Sequence, residues 1–173
     1  MTVALSTARL SLEPFSDRFL TDTYVAWLND EETVRYSEQR HRSHSVESCR
    51  TFVVAATSPP NLMWAIVRKE MDDHIGNVTA SVDERNGVAD LGMMIGSANC
   101  RGRGYGVEAW ACAKSYLLGE RNLRRVEAGA MSENAAMLAV FQSTGMTEEG
   151  RRKGHFLLDG RPVDMVLVAQ DRS

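Results

Sequence analysis

The segment from Arg101 to Gly106, Arg-Gly-Arg-Gly-Tyr-Gly, constrains the fold of this chain more than any other stretch. Its three glycines allow sharp turns and close approach of another molecule, because glycine has no Cβ atom. A helix-like run over residues 107–118 follows at once. The first amides of a helix lack partners within the helix and carry partial positive charge, so this loop favours a phosphate or pyrophosphate. Arg101 and Arg103 add charge that does not titrate near neutral pH.

Several interpretations of this glycine-rich loop compete. A P-loop needs Lys followed by Ser or Thr after its last glycine, but Val and Glu follow Gly106. A dinucleotide-binding motif, G-x-G-x-x-A, fits residues 104–109, but the preceding strand-like run ends too early, at Ile95. A third pattern, Arg/Gln-x-x-Gly-x-Gly/Ala, is met by Arg101, Gly104 and Gly106. A helix-capping loop without a ligand remains the alternative.

Composition narrows the class of protein. The chain has 173 residues, of which 43% are hydrophobic and 25% charged, as expected for one soluble globular domain. The net charge of −3 and the absence of a long basic run argue against nucleic acid as the main partner. No apolar stretch reaches membrane-spanning length, and residues 1–9 lack the apolar run of a signal peptide. We therefore expect residues 1–173 to form a single domain with no membrane partner.

The three cysteines bear on compartment and metal binding. Their odd number and wide spacing argue against a disulfide framework and fit a reducing cytoplasm. No spacing of Cys and His resembles a zinc site, so we expect no metal. Covalent catalysis by Cys100 or Cys112 is disfavoured, because neither has a nearby His in sequence and free cysteine is usually a small buried hydrophobe.

The spacing of apolar residues predicts the order of the elements. Helices are predicted over 17–28, where Asp17 would be the N-cap, and over 45–57, 105–118 and 134–144. Strands are predicted near 9–14, 62–68, 75–82, 88–95, 125–131, 148–156 and 162–169. Residues 31–43 are predicted to form a loop with one short helical turn. This order indicates a mixed sheet with helices packed against it.

With this order in place, the chain resembles the GNAT acetyltransferase superfamily over nearly its whole length. The opening strand Arg9-Leu-Ser-Leu-Glu-Pro is similar to that of the family, and Trp27-Leu-Asn-Asp resembles the branch of ribosomal-protein N-terminal and sugar-nucleotide amine acetyltransferases. The other matching segments are Gly76-Asn-Val, Leu91-Gly-Met-Met-Ile-Gly and the helix from Asn134 to Gly145-Met146, usually written N-x-x-S-x-x-L-Y-E-K-x-G-F. The resemblance implies an α+β fold: a mostly antiparallel twisted sheet of six to seven strands flanked by about four helices.

The resemblance also implies acetyl-CoA as co-substrate and direct acetyl transfer to an amine. The strand at Met93–Ile95 would diverge from the strand at 126–130 and pair its free backbone groups with the pantetheine amides. The N–H of Met94 is a candidate for stabilising the oxyanion. Asn134 would lie near the pantetheine, although it can equally be a helix N-cap. The full predicted cofactor set is Met93, Met94, Ile95, Arg101, Gly102, Arg103, Gly104, Tyr105, Gly106 and Asn134.

The catalytic groups are less well defined. In many relatives a tyrosine protonates the departing thiolate, but Phe141 stands at that position, so this role cannot be carried over. The amine must lose a proton, and the candidate bases are Glu84, Asp90 and Glu127. Each has an ordinary alternative as a turn residue or ion-pair partner. His155 titrates in the right range, but a lone histidine near a hairpin is more often simply exposed.

The acceptor is the least determined part of the site. The predicted substrate-binding residues are Trp27, Arg35, Tyr36, Arg40 and Arg42, whose arginines could contact phosphates or carboxylates or could form a solvated surface. A small-molecule or nucleotide-linked sugar amine is favoured over a protein N-terminus. A CoA-binding regulatory module without catalysis and a nicotinamide-dependent oxidoreductase are the other classes. The oligomeric state, monomer or homodimer, is left open.

Overall fold

The computed structural model describes residues 2–172, in which one eight-stranded sheet is flanked by five α-helices. The strands are β1 (Leu5–Ser6), β2 (Leu10–Pro14), β3 (Leu62–Arg68), β4 (Asp73–Asp83), β5 (Val88–Ile95), β6 (Arg125–Met131), β7 (Thr147–Leu158) and β8 (Arg161–Asp171). The helices are α1 (Asp22–Asn29), α2 (Glu31–Val34), α3 (Val46–Thr57), α4 (Tyr105–Leu118) and α5 (Ala135–Ser143). None of the helices in this described range is long and apolar enough to cross a membrane.

The sheet order is β1-β2-β3-β4-β5-β6-β8-β7, and neighbouring strands are antiparallel except β5 and β6. The parallel pair contacts through three positions, Val88 with Arg125 to Asp90 with Glu127. Beyond Asp90, the rest of β5 has no paired strand on the β6 side among the residues that the structure describes. Backbone N–H and C=O groups seek partners, so this gap in the sheet offers a place for an extended ligand.

Two apolar clusters cover the two faces of the sheet. On one side, the α4 face, Trp64, Val78, Ala89 and Val126 pack against α4 and α5. On the other, the α1 face, alternate strand residues such as Met63 and Ala65 pack against side chains of α1 and α3. Residues 62–67 of β3 are buried throughout, because both faces of this strand are covered by helices.

The predicted fold class is confirmed, with one more strand and one more helix than the upper expectation. β1 has two residues, too few for an alternating pattern to reveal it. The predicted helix over 17–28 is wrong in its first turn: Asp17–Phe19 is a separate 3₁₀ turn, and α1 begins at Asp22. The side chain of Thr21 caps α1 by accepting a hydrogen bond from the Tyr24 N–H at 3.3 Å.

Candidate active site

A cleft of about 580 Å³ opens where β5 and β6 diverge. Its walls are the end of β5 at Met93–Ile95, the glycine-rich loop, the first turns of α5 and the segment Glu32–Ser37. The cleft therefore lies at the carboxyl end of β5 and at the N-terminus of α4. The predicted cofactor residues converge here, and all of them except Arg103 line the cleft.

The glycine-rich loop is shaped by backbone conformation. Gly102 and Gly104 have φ values of +69° and +79°, in the left-handed region that residues with a Cβ rarely adopt. Gly104 is the N-cap of α4 and has no side chain to satisfy the first amides of the helix. A Cβ at Gly102 would meet nothing within 4 Å. The loop is thus an open, positively polarised turn that can accept an anion.

Contacts from Arg9, near the N-terminus, hold the glycine-rich loop in place. Arg9 forms an ion pair with Glu108 at 2.6 Å and donates a hydrogen bond to the Arg103 carbonyl at 3.0 Å. Its guanidinium also lies 4.5 Å from the ring centroid of Tyr105. Partial burial disfavours ionisation of Glu108, but hydrogen bonds from Thr7 and Arg9 outweigh it and lower the pKa of this carboxyl. The arrangement connects the segment just before β2 to the first turn of α4.

Arg101 lines the cleft, and its side chain also contacts neighbouring protein groups. It donates hydrogen bonds to Thr33 Oγ1 at 2.6 Å and to the Gly96 carbonyl at 3.3 Å. Its guanidinium lies 3.4 Å from a carboxylate oxygen of Glu32. Arg101 therefore connects the glycine-rich loop to α2, a contact that the sequence pattern did not predict.

Asn134 occupies the position expected of a capping residue. Its side chain accepts a hydrogen bond from the Met137 N–H at 3.1 Å, and the residue also lines the cleft. Three apolar side chains of α5, Ala136, Met137 and Val140, complete this wall. Phe141 does not line it, because it is 2% exposed and packs against Trp110 with ring centroids 5.4 Å apart.

A second cavity of about 250 Å³ lies on the α1 face, and we call it the α1-side cavity. Its defining wall residues are Tyr24, Leu28, Arg42, His44, Asn77 and Thr79. Ser37, Met93 and Met94 line both this cavity and the cleft. The two spaces thus meet at the end of β5, one on each side of the backbone of this strand.

Two of the three candidate bases lie side by side. Asp90 and Glu127 are directly paired in the last register before β5 and β6 diverge. Partial desolvation by the surrounding strands and, secondly, the charge of Glu127 raise the pKa of Asp90. Glu84 lies in the β4–β5 hairpin, at the opposite end of β5, and forms an ion pair with Arg121 at 3.0 Å. His155 is exposed on β7, with its ring against Phe156.

The predicted acceptor residues separate into two groups. Arg35 and Tyr36 line the cleft, and Arg42 lines the α1-side cavity. Trp27 and Arg40 line neither. Arg40 instead donates a hydrogen bond to the Leu157 carbonyl at 3.0 Å.

The position of Trp27 shows that it is a packing residue. Its indole lies so close to Gly96 that a Cβ there would be 2.0 Å from Trp27 Cδ2. The same indole packs against His74, with ring centroids 5.0 Å apart. Trp27 therefore supports the turn that leaves β5, just before the glycine-rich loop.

Sequence reasoning missed several wall residues. Asn77 is the polar residue in the buried stretch 75–78 of β4, which is a signal that the sequence contains, whereas Thr33 and His44 carry no distinguishing pattern. Cys100 is buried and lines the cleft. Within residues 2–172, no group of three or more His, Cys, Asp or Glu could hold a metal ion.

Comparisons with known proteins agree with this geometry. The family model described as "Acetyltransferase (GNAT) domain" matches residues 9–147. The uncharacterized N-acetyltransferase p20 of Bacillus licheniformis is 30% identical over 107 residues, which is 61% of this chain and 60% of that protein. Thus the match spans less than two thirds of its length.

Solved structures share the fold at lower identity. RimL, a ribosomal L7/L12 alpha-N-protein acetyltransferase in complex with coenzyme A, superposes with a TM-score of 0.86 at 16% identity, covering 98% of each chain. Spermidine N-acetyltransferase from Vibrio cholerae, in complex with CoA and spermine, has a TM-score of 0.85 at 16% identity, covering 96% of this chain and 97% of that one. On the family match, which includes the glycine-rich loop and most of the sheet, the chain belongs to the GNAT acetyltransferase family.

Proposed function

We propose that this protein transfers the acetyl group of acetyl-CoA to a primary amine of a small molecule or nucleotide-linked amino sugar. Attack would be direct, within a ternary complex of enzyme, acetyl-CoA and amine. The observation that carries the proposal is the divergence of β5 from β6 after three paired positions, beside a left-handed glycine loop at the start of α4. Strand addition and anion binding are the two interactions that a CoA thioester needs.

Each part of the cofactor has a corresponding feature of the cleft. The pyrophosphate would accept hydrogen bonds from backbone amides of residues 101–106, at the positive end of α4. The pantetheine amides would pair with the free backbone groups of Met93–Ile95. The thioester would then lie near Met94, which lines both the cleft and the α1-side cavity. The amine would approach from the α1-side cavity.

The reaction requires one bond to form, one to break and one proton to move. The amine nitrogen attacks the thioester carbonyl carbon, and the carbonyl oxygen becomes an oxyanion that a free backbone N–H at the end of β5 would stabilise. When the intermediate collapses, the C–S bond breaks and the CoA thiolate leaves. The proton lost by the amine passes to a base, and the thiolate takes up a proton from water. Phe141 has none to give and is buried away from the cleft.

Asp90 is the base that we propose, because it lies on the same strand as Met94. It is four residues before Met94, so it lies roughly 13 Å away along the strand, and it lines neither the cleft nor the α1-side cavity. A proton would therefore reach it from an amine at Met94 only through a chain of several water molecules. The raised pKa of its carboxyl makes it a better proton acceptor than an ordinary aspartate. Glu127 would act mainly through its charge. Glu84 is at the wrong end of β5.

A protein N-terminus is the second candidate acceptor, because RimL superposes over nearly the whole chain and is named as an alpha-N-protein acetyltransferase. A CoA-binding module with weak catalysis is a candidate of another class. It would use the same glycine loop, so cofactor binding alone cannot distinguish it. Turnover with amines distinguishes it from an enzyme.

The test combines binding with turnover. Acetyl-CoA, CoA and NADH are titrated separately by calorimetry, and thiol release is then followed with a panel of small amines and N-terminal peptides. We expect binding of acetyl-CoA and CoA, no binding of NADH, and amine-dependent thiol release. Binding of NADH alone would refute the proposal. Binding of acetyl-CoA without turnover on any amine would favour the regulatory module.

A further inference from the structure

Asn77 presents an unsatisfied oxygen to the α1-side cavity. The residue lies on β4 between Ala65 of β3 and Met94 of β5, and it is 7% exposed. Its Oδ1 atom is buried and has no hydrogen-bond partner within residues 2–172. A buried polar group without a partner destabilises a folded protein. Leucine would fill the same space without this cost, so the amide indicates a role in binding a ligand.

His44 presents a second unsatisfied atom to the same cavity. Its Nε2 is buried and likewise lacks a partner among the described residues. The backbone of His44 is held on both sides by Asn29: the His44 N–H donates to Asn29 Oδ1 at 2.8 Å, and Asn29 Nδ2 donates to the His44 carbonyl at 2.9 Å. The imidazole therefore projects from a fixed backbone, as expected of a group that orients a ligand.

The wall of the α1-side cavity carries positive charge. Arg42 is part of this wall, and no Asp or Glu is among the described residues that line it. Tyr24, Leu28 and Phe52 supply apolar surface. A buried ammonium group needs a carboxylate or several carbonyl oxygens to replace its hydration. The end of the acceptor that enters this cavity therefore should not be a second cation.

The volume of the α1-side cavity limits the size of the group that can enter it. Its volume of about 250 Å³ lies just below the range of about 300–1,000 Å³ found for ligand pockets. It can hold a short chain with a terminal polar group, while a nucleotide would have to remain outside.

From these features we infer that the α1-side cavity selects a compact primary amine whose far end is uncharged or anionic and forms hydrogen bonds with Asn77 and His44. Polyamines are disfavoured at this site. The inference rests on the proposed acetyltransferase function and names the substrate class. A carboxamide end suits the pair best, since its N–H can donate to Asn77 Oδ1 while its carbonyl or second N–H reaches His44 Nε2.

The first test compares four amines of equal chain length: pentylamine and its relatives ending in a carboxamide, a carboxylate or an ammonium group. We expect kcat/KM for the carboxamide to exceed that for the diamine by at least about tenfold, which is one lost hydrogen bond to a buried group. Equal or faster turnover of the diamine would overturn the inference while leaving the acetyltransferase function intact. Turnover of peptides but of none of these amines would also overturn it. Failure of acetyl-CoA to bind would overturn the proposed function itself.

The second test changes the charge of the side chain at position 77. Asn77→Asp keeps the shape of the side chain and adds a carboxylate, so the ratio of diamine to carboxamide turnover should rise at least about tenfold. Asn77→Leu should bring the ratio of carboxamide to pentylamine turnover towards one. The control Gln142→Leu, an exposed amide on α5 outside both cavities, should leave both ratios unchanged.

Stability distinguishes binding from a structural role. Asn77→Leu removes a buried amide whose oxygen has no hydrogen-bond partner within residues 2–172, so its Tm should equal or exceed that of the wild type. A fall in Tm with equal losses on all four amines would show that Asn77 supports the sheet and does not contact the acceptor. If Asn77→Leu does not fold, that result also assigns a structural role, and unchanged amine ratios in Asn77→Asp would confirm the refutation.

Discussion

Lowering the pH from 7 to 4 should destabilise the protein through His74. The imidazole lies among aromatic rings, with centroids 5.0 Å from those of Phe19 and Trp27. Its Nε2 is 2.8 Å from the Gly76 carbonyl, so this nitrogen carries a hydrogen in the neutral ring. Burial is the main cause that lowers the pKa of His74 from 6.5 to about 4.

The sign and size of the effect follow from proton linkage. As pH falls through 6.5 the unfolded chain binds a proton at His74, but the folded protein does not until the pH reaches about 4. Proton binding therefore stabilises the unfolded state relative to the folded state between these two pH values, and the free energy of unfolding falls as the pH is lowered. The pKa difference corresponds to roughly 3 to 4 kcal/mol, at about 1.4 kcal/mol per unit.

Urea unfolding at several pH values between 7 and 4 measures this contribution. His74→Gln keeps a donor for the Gly76 carbonyl but cannot titrate, so its unfolding free energy should depend less steeply on pH than that of the wild type. Carboxyl groups titrate in both proteins, and the difference between the two curves isolates the imidazole. His155→Gln, at an exposed position, should leave the wild-type curve unchanged. Parallel curves for wild type and His74→Gln would refute the reasoning.

Three further substitutions probe the cleft and the packing beside it. Gly104→Val should weaken acetyl-CoA binding at least about a hundredfold by calorimetry, because a branched side chain is strained at φ +79° and intrudes where the pyrophosphate approaches. Gly160→Val, at φ +74° with open space around it, is the control for backbone strain. Equal acetyl-CoA affinity in the two variants would contradict the assignment. Phe141→Tyr should leave kcat within about tenfold of wild type, because the ring packs outside the cleft; a larger loss at unchanged cofactor affinity would show that the reaction needs an apolar group there. Arg101→Ala should raise both the acetyl-CoA Kd and the amine KM, because it frees Thr33 from the loop; an effect on acetyl-CoA alone would argue against this coupling.

Elements with strong local signals were predicted closely. The helix over 105–118 and the strand over 125–131 match the structure at both ends, because each has a clear apolar period and a glycine or charged boundary. The start of α1 was misplaced because Asp17 and Thr21 are both good N-caps. The backbone of Leu20, with φ −82° and ψ 67°, interrupts the helical path between them.

The site residues likewise separate into those with a local sequence signal and those without one. The glycine-rich loop and Met93–Ile95 are contiguous in sequence, so a motif could reveal them, and most of their residues line the cleft. The contacts of Asn77 and Thr33 depend on the register of β4 against β5 and on how α2 packs against the loop. These are tertiary relationships that residue patterns do not encode. The same reason explains why Trp27, expected beside the acceptor, is a packing residue against Gly96.

A crystal structure with acetyl-CoA bound tests the central claim most directly. We predict the pyrophosphate within hydrogen-bond distance of the backbone amides of residues 101–106 and the pantetheine paired with Met93–Ile95. The acetyl carbon should lie beside Met94, at the junction of the cleft and the α1-side cavity. Acetyl-CoA bound elsewhere, or in this cleft with its acetyl group directed away from the α1-side cavity, would contradict the account.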